Sequence, residues 1–525
     1  MSGYCNKALK LADPACGTCR KKCRKCDRTR PVCKRCTIKG LHCEGYPPRF
    51  QFLEYGSMPS ATSAAANEAD VPPESAARRK RKQKAPTSNT QTQSSTTLID
   101  LPTRERDHPS PAPLITPNQS LSPESDISLG RSSLVDDVLA TAQAQRLLVH
   151  FDTTVCNTLA ITTVGTANPF RAYVLPLSYQ HAGILHALLG LAAYHLNASG
   201  EDTSKTNTTA ALQHKLSAIQ SLSTLLIKEE ISGLSEREEE VTLVIVLLLV
   251  LQDICESGIS THGAHLTGVT FLCGRIADRS LETLSPFKMF LISCLSWLDA
   301  LRGFSGAEKL AYSDNVRQCV LQAQDCSLET SVGCPAEIFY EIGKVLSAGR
   351  DFVAGTLPVS EFEEVLARAD AFLLNWDADS ATFPTHDPEW KLLAEAYRHA
   401  CILRVRRFPE PLESVPAEDD RIKGPVAAIL DAAAKIPMDS PFYKRLLFPL
   451  FLAGAETSSP HQYHYVHLCI NQIKESTGFQ HQAMTQLLNT VWEERHMNSK
   501  RWRNISWTEW TCSSLLKVQH AFLFF

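Results

Sequence analysis

The 525-residue sequence has no apolar stretch long enough to cross a bilayer. Its most apolar run, Leu243 to Leu251, falls well short of the roughly 18–20 residues a span needs. Met1 to Ala12 carries Lys7 and Lys10 but no apolar h-region, so no secretory leader is expected. The reading is a soluble, intracellular chain with no membrane partner, in a compartment where thiols stay reduced. Alternating period-2 segments of any length are missing, which excludes a sheet-based body. Also missing are H-E-x-x-H, the phosphate-loop GxxxxGK[ST], G-x-S-x-G and G-x-G-x-x-G, so no enzyme is expected. From about 55 to 130 large apolar residues are scarce. Ser, Thr, Pro, Ala and Gln dominate there, so this linker is expected to be disordered, and no a/d heptad repeat marks a coiled coil.

What the sequence does have is concentrated at one end. The formal charge of −3 hides a segregation: residues 1–50 carry +10 and the remainder −13. A basic head on an acidic body points to a polyanionic partner for the head. Cys16 to Cys43 holds seven of the eighteen cysteines. Six of them, Cys16, Cys19, Cys26, Cys33, Cys36 and Cys43, follow C-x2-C-x6-C-x6-C-x2-C-x6-C. Each C-x2-C pair offers two thiolates to one metal, and a third returns seven positions later. Two tetrahedral zinc ions need eight bonds, and six thiolates close that count if one cysteine per half bridges both metals. The near-symmetric spacing makes Cys16 and Cys33 the bridges. Mixed Cys/His interaction modules use longer loops, and His42 is the only histidine here; the C-x2-C-x2-C ferredoxin spacing is absent. A segment of this length cannot hold an apolar core, so its folding energy must come from metal. Six thiolates and two zinc ions leave the head with about +8, enough for several phosphate contacts.

This pattern resembles the fungal binuclear zinc-cluster transcription factors, whose finger reads roughly C-x2-C-R-x-[RK]-K-x-K-C-D-x3-P-x-C-x2-C-x6-C. Arg20, Lys22, Lys25, Asp27 and Pro31 match. The resemblance implies two zinc ions and a first helix that lies in the major groove, commonly at a CGG triplet. Arg20, Lys21, Lys22, Arg24 and Lys25 are then the DNA-contacting residues. One departure stands out: where relatives usually carry a second base-reading Lys, this chain has Cys23, which cannot donate strongly to guanine. Lys22 is therefore the expected base reader. A tight site built on Cys16, Cys19, Cys23 and Cys26 is the alternative, and it would leave the 33–43 half without its partner.

Within the linker, Arg78, Arg79, Lys80, Arg81, Lys82 and Lys84 read as a nuclear-import signal, placing the chain in the nucleus. Beyond it the pattern is helical. Ser133 is expected to cap a helix through Leu147, with Asp136-Asp137 in its first turn. Ile184 to Leu196 reads as a buried helix, Val241 to Leu251 as a second despite its β-branched residues, and Asp387-Pro388 as the start of a third. His461, His464 and His467 read as a half-buried stripe, Trp492, Trp502, Trp507 and Trp510 as packing anchors, and the ten cysteines after residue 150 as small buried side chains.

The stretch from about 134 to 510 resembles the second class of fungal-specific transcription factor domain. Asn168-Pro169-Phe170, Tyr173 to Pro176, ILHALL from Ile184, His265 to Gly268, Glu395 to Ala400, Leu447 to Phe451 and Val491-Trp492 carry the resemblance. It implies an all-α regulatory domain, a homodimer, and a small apolar effector as ligand. The expected organisation is a lead-in at 1–15, the zinc cluster at 16–46, the linker at 47–131, the helical domain at 132–510 and an unassigned tail at 511–525. The expected function is a zinc-dependent, sequence-specific regulator of RNA polymerase II genes for metabolism or secondary metabolite biosynthesis. The alternative is a DNA-tethered helical body with catalytic or small-molecule-sensing activity.

Overall fold

A computed structural model describes residues 18–19, 22, 26, 33–43, 129–199, 205–260, 263–408, 420–497, 506–511 and 521–522. The chain divides into two compact units, Met1–Thr116 and Pro117–Phe525. The described part of the first unit is the cysteine-rich head with one short helix, α1 (Lys34–Ile38). The second is a helical domain, whose described residues add only a two-residue antiparallel ladder pairing Ile259 with Phe522 and Ser260 with Ala521.

The first long stretch of the body departs from expectation. Its helix begins at Leu129 and ends at Leu139, so α2 (Leu129–Leu139) contains Ser133 rather than being capped by it, and Asp136-Asp137 lie beyond its first turn. Thr141 starts a separate helix, α3 (Ala142–His150), by accepting the Ala144 N–H at 3.2 Å. A hydroxyl that caps the second helix makes the break without glycine or proline.

Next come α4 (Ala182–Ala198), α5 (Lys205–Ser232) and α6 (Glu236–Glu256). Ser235 and Glu238 form a reciprocal capping box at the start of α6, and Glu236, Glu238 and Glu239 put negative charge on its first turn. Residues Val241 to Cys255 are buried all round. This settles the β-branched run as a central helix whose burial overrides its strand propensity. Helices α4 and α5 pack closely because Gly183 has no side chain. A Cβ there would fall on Ser221 and lie 2.9 Å from Ile245 Cδ1.

The core is aromatic where α7 (Pro286–Phe304), α8 (Glu389–Arg407) and α9 (Leu447–Glu456) meet. Trp297 presents an edge contact to Tyr397 at 5.5 Å and to Phe448 at 5.8 Å. As expected, α8 opens directly after Asp387-Pro388, with Asp387 Oδ1 accepting from Glu389 N at 3.1 Å, and Trp390, Leu393, Ala394, Tyr397, Ala400 and Cys401 face inward. Tyr397 keeps its hydroxyl satisfied 3.1 Å from the carbonyls of Val332 and Arg445. Trp507 packs edge-on against Phe451 at 5.0 Å, and Trp492 Nε1 donates to Gly454 O at 3.0 Å. Trp502 lies outside the described residues.

Candidate metal centre

The head begins to organise at Cys33. This residue caps α1, its sulfur accepting the Cys36 N–H at 3.3 Å while Thr37 N donates to its carbonyl. Five residues later the helix closes in a Schellman turn: Leu41 N donates to Cys36 O at 2.9 Å and Gly40 N to Thr37 O at 3.2 Å. Gly40 sits at φ +59°, the left-handed conformation this turn requires. The turn folds Leu41 onto the cysteines and returns the chain so that Cys43 rejoins Cys33 and Cys36. The other half is tied on by Thr18, whose hydroxyl donates to His42 O at 2.8 Å.

Two sulfur groups result. Cys19, Cys26 and Cys33 form one, Cys33, Cys36 and Cys43 the other, each with its sulfurs within 4.8 Å of one another. Cys33 belongs to both. The separations suit metal rather than disulfides: Cys19 Sγ lies 3.8 Å from Cys33 Sγ and 4.0 Å from Cys36 Sγ. A disulfide needs about 2.05 Å, whereas two thiolates on one tetrahedral zinc at about 2.3 Å are about 3.8 Å apart. Cys19, Cys33 and Cys36 are fully buried, and among the described residues of this unit only Cys26, Leu41 and Cys43 pack against them. Such a donor set fits zinc, and the cross-links zinc supplies stand in for the missing apolar core.

One second-layer residue was not legible in the spacing. Arg35 Nη1 donates to Cys19 Sγ at 3.6 Å, reaching from α1 to the other half of the head. The only sequence signal is a basic residue inside the second C-x2-C. Of the expected DNA-contacting residues, Lys22 is exposed, its N–H donating to Thr18 O at 3.2 Å. Arg20, Lys21, Arg24, Lys25, Cys23 and Cys16 lie outside the described residues, as do the basic residues 78–84.

The body has no comparable centre among its described residues. His461 and His464 are exposed, and His467 is occupied by the Tyr463 hydroxyl at 2.6 Å, with Tyr463 stacked on Trp492. In the body, burial pushes the thiols of Cys156, Cys273 and Cys294 up to about 12, so they stay protonated packing groups. A concavity of about 280 Å³ is lined by Asp325, Cys326, Glu329 and Glu337, and burial together with these carboxylates pushes the Cys326 thiol up to about 12. No helix among the described residues is long and apolar enough to cross a membrane.

Comparison with known proteins places both units. Residues 14–51 match the fungal Zn(2)-Cys(6) binuclear cluster domain, which binds two zinc ions, and residues 146–525 match the fungal specific transcription factor domain. Two curated proteins of Diaporthe leptostromiformis, Transcription factor phomR' and Transcription factor phomR, are each 39% identical over 51 residues. That is 10% of this chain, and the match spans only 8% of each relative's length. No solved structure matches. The chain belongs to the fungal binuclear zinc-cluster transcription factors, with the fungal specific transcription factor domain as its helical body.

Proposed function

We propose that this transcription regulator binds DNA sequence-specifically and only when its head is loaded with zinc. The observation that carries the reading is the sharing of Cys33 between two sulfur groups in a basic head, the arrangement a six-thiolate, two-metal cluster needs. Cys16, Cys19, Cys26, Cys33, Cys36 and Cys43 are the ligands, with Cys16 and Cys33 bridging. Arg20, Lys21, Lys22, Arg24 and Lys25 meet DNA at CGG-type half-sites, Lys22 reading bases and its neighbours holding phosphates. Residues 78–84 direct the chain to the nucleus. The domain limits are those expected from the sequence, and the helical body regulates RNA polymerase II genes of metabolism or secondary metabolite biosynthesis, as a homodimer and under a small effector.

Selection of DNA ligands from a random pool by the zinc-loaded chain tests this reading. Enrichment of CGG-type triplets, lost on chelation, is expected; enrichment unaffected by chelation contradicts it. Lys22→Ala should reduce discrimination between selected and scrambled DNA more than Arg49→Ala does, and the reverse order would overturn the base-reading role.

A further inference from the structure

Helix α5 is buried on one side only. Ala211, Ala218, Leu222 and Leu225 face α4 and the core. On the outer side four large apolar residues stay exposed: Leu212 and Leu216 at 58%, Ile227 at 55% and Ile231 at 79%. At about 100° per residue these four span a stripe about 100° wide, the width of a helix face made for another apolar surface. Together they expose roughly 450 Å², as large as the biggest patch a typical monomer leaves open.

Their spacing identifies the occupant. Leu212 and Leu216 are four apart, as are Ile227 and Ile231, and the two pairs are symmetric about the midpoint between residues 221 and 222. Gln220 and Ser223 fill the two intervening stripe positions with the same symmetry. A two-fold interface needs a surface that is its own complement when reversed. An antiparallel copy of α5 places Leu212 against the partner's Ile231 and Leu216 against the partner's Ile227, at both ends at once. The stripe's one charge is Glu230, at its edge on the same angle as Leu212, which the antiparallel copy places against the partner's Gln213. The two lysines beside the stripe are already neutralised within their own chain: Lys215 by Asp253 at 2.8 Å and Glu256 at 3.0 Å, Lys228 by Glu238 at 2.7 Å. Two copies would remove roughly 900 Å² through these side chains alone. Gln213, Gln220, Ser223 and Glu230 at the margin bring this to the roughly 1,200 Å² at which specific interfaces begin.

We infer that the outer face of α5 is the self-association surface of this regulator, packing two chains antiparallel about a two-fold axis near residues 221 and 222. The inference gives a location to the homodimer proposed above and stands independently of DNA binding. Because Leu212 and Ile231 lie about 14 Å either side of the axis, contact at both ends requires the two helices to run nearly antiparallel, crossing at about 20°.

Sedimentation equilibrium of the full chain at micromolar concentration tests it, without DNA. A dimer is expected. Leu216→Glu enters the isologous interface twice and should weaken it by about 100-fold or more, while the circular dichroism and melting temperature stay those of the parent. For register, Leu212→Cys and Ile231→Cys chains are prepared separately and oxidised alone or mixed. Only the mixture should yield a disulfide-linked dimer above the parent background. A monomeric parent, a dimer insensitive to Leu216→Glu, or cross-linking in the single samples but not the mixture would each overturn the inference. A monomer whose hydrogen exchange at 212–231 responds to Leu216→Glu would mean that the same chain covers this face, and also refutes it. DNA selection that fails while the dimer persists would instead count against the DNA-binding reading alone.

Discussion

Arg35→Ala tests how the two halves of the head are held together. Arg35 sits on α1, between Cys33 and Cys36, yet its guanidinium donates to the sulfur of Cys19 in the other half at 3.6 Å. A thiolate that accepts a charged N–H is held in place and loses part of its excess negative charge, so the bond strengthens when the cluster is loaded. Hydrogen bonds to charged groups contribute about 1.5–3 kcal/mol, and losing an outer partner of a ligand typically lowers metal affinity 10–100-fold. The two ranges agree, since about 1.4 kcal/mol corresponds to a factor of 10. Chelator competition, followed by the zinc released per chain, should therefore show a 10–100-fold weaker site in Arg35→Ala. Arg35→Lys keeps the charge but not the planar fork and should fall between. Lys39→Ala, an exposed cation just beyond α1, should leave the affinity unchanged. Equal losses from Arg35→Ala and Lys39→Ala would show that only net charge matters, and no loss from Arg35→Ala would refute the role of the bond.

Gly183→Ala should destabilise the helical domain by about 1–3 kcal/mol, read from denaturant midpoints, because the new methyl meets Ser221 and Ile245. Adding Ser221→Ala should restore only part, since the Ser221 Cβ itself is close; a neutral Gly183→Ala would mean α4 and α5 are not that tightly apposed. Glu329 gives a pH signature: burial raises its carboxyl from 4.5 to about 7, with Glu337 and Asp325 adding to the shift against the N–H of Ala336 at 2.9 Å. A raised folded value means that the stabilising protonated form is fully present below about 4.5 and its contribution is lost as pH rises toward 7. Glu329→Gln should thus gain on the parent by up to about 3 kcal/mol between pH 4.5 and 8 in denaturant titrations. A difference independent of pH would contradict the shift.

The metal site was legible because thiolate chemistry is written in spacing: C-x2-C pairs and the returning Cys26 and Cys43 need no tertiary knowledge. Helix α6 was legible for a similar reason, its Ser235 and Glu238 cap and acidic first turn outweighing Val241, Val244 and Ile245. The split at Thr141 was not, since Ala140-Thr141-Ala142 contains no breaker and a capping hydroxyl mid-pattern looks like any helix threonine. Nor was Arg35, whose partner lies sixteen residues away in the other half. Left-handed Gln324, Cys326 and His481 likewise carry no local signal, because their neighbours rather than their own preferences impose that backbone.

The most direct test of the cluster is zinc content by elemental analysis of the purified full chain and its Cys33→Ala and Cys5→Ala variants. Two zinc ions per parent chain are expected, retained in Cys5→Ala and both lost or strongly weakened in Cys33→Ala, because Cys33 joins both sulfur groups. One zinc ion per parent chain, or a Cys33→Ala variant that loses one ion and holds the other at parental affinity, would contradict the bridged centre.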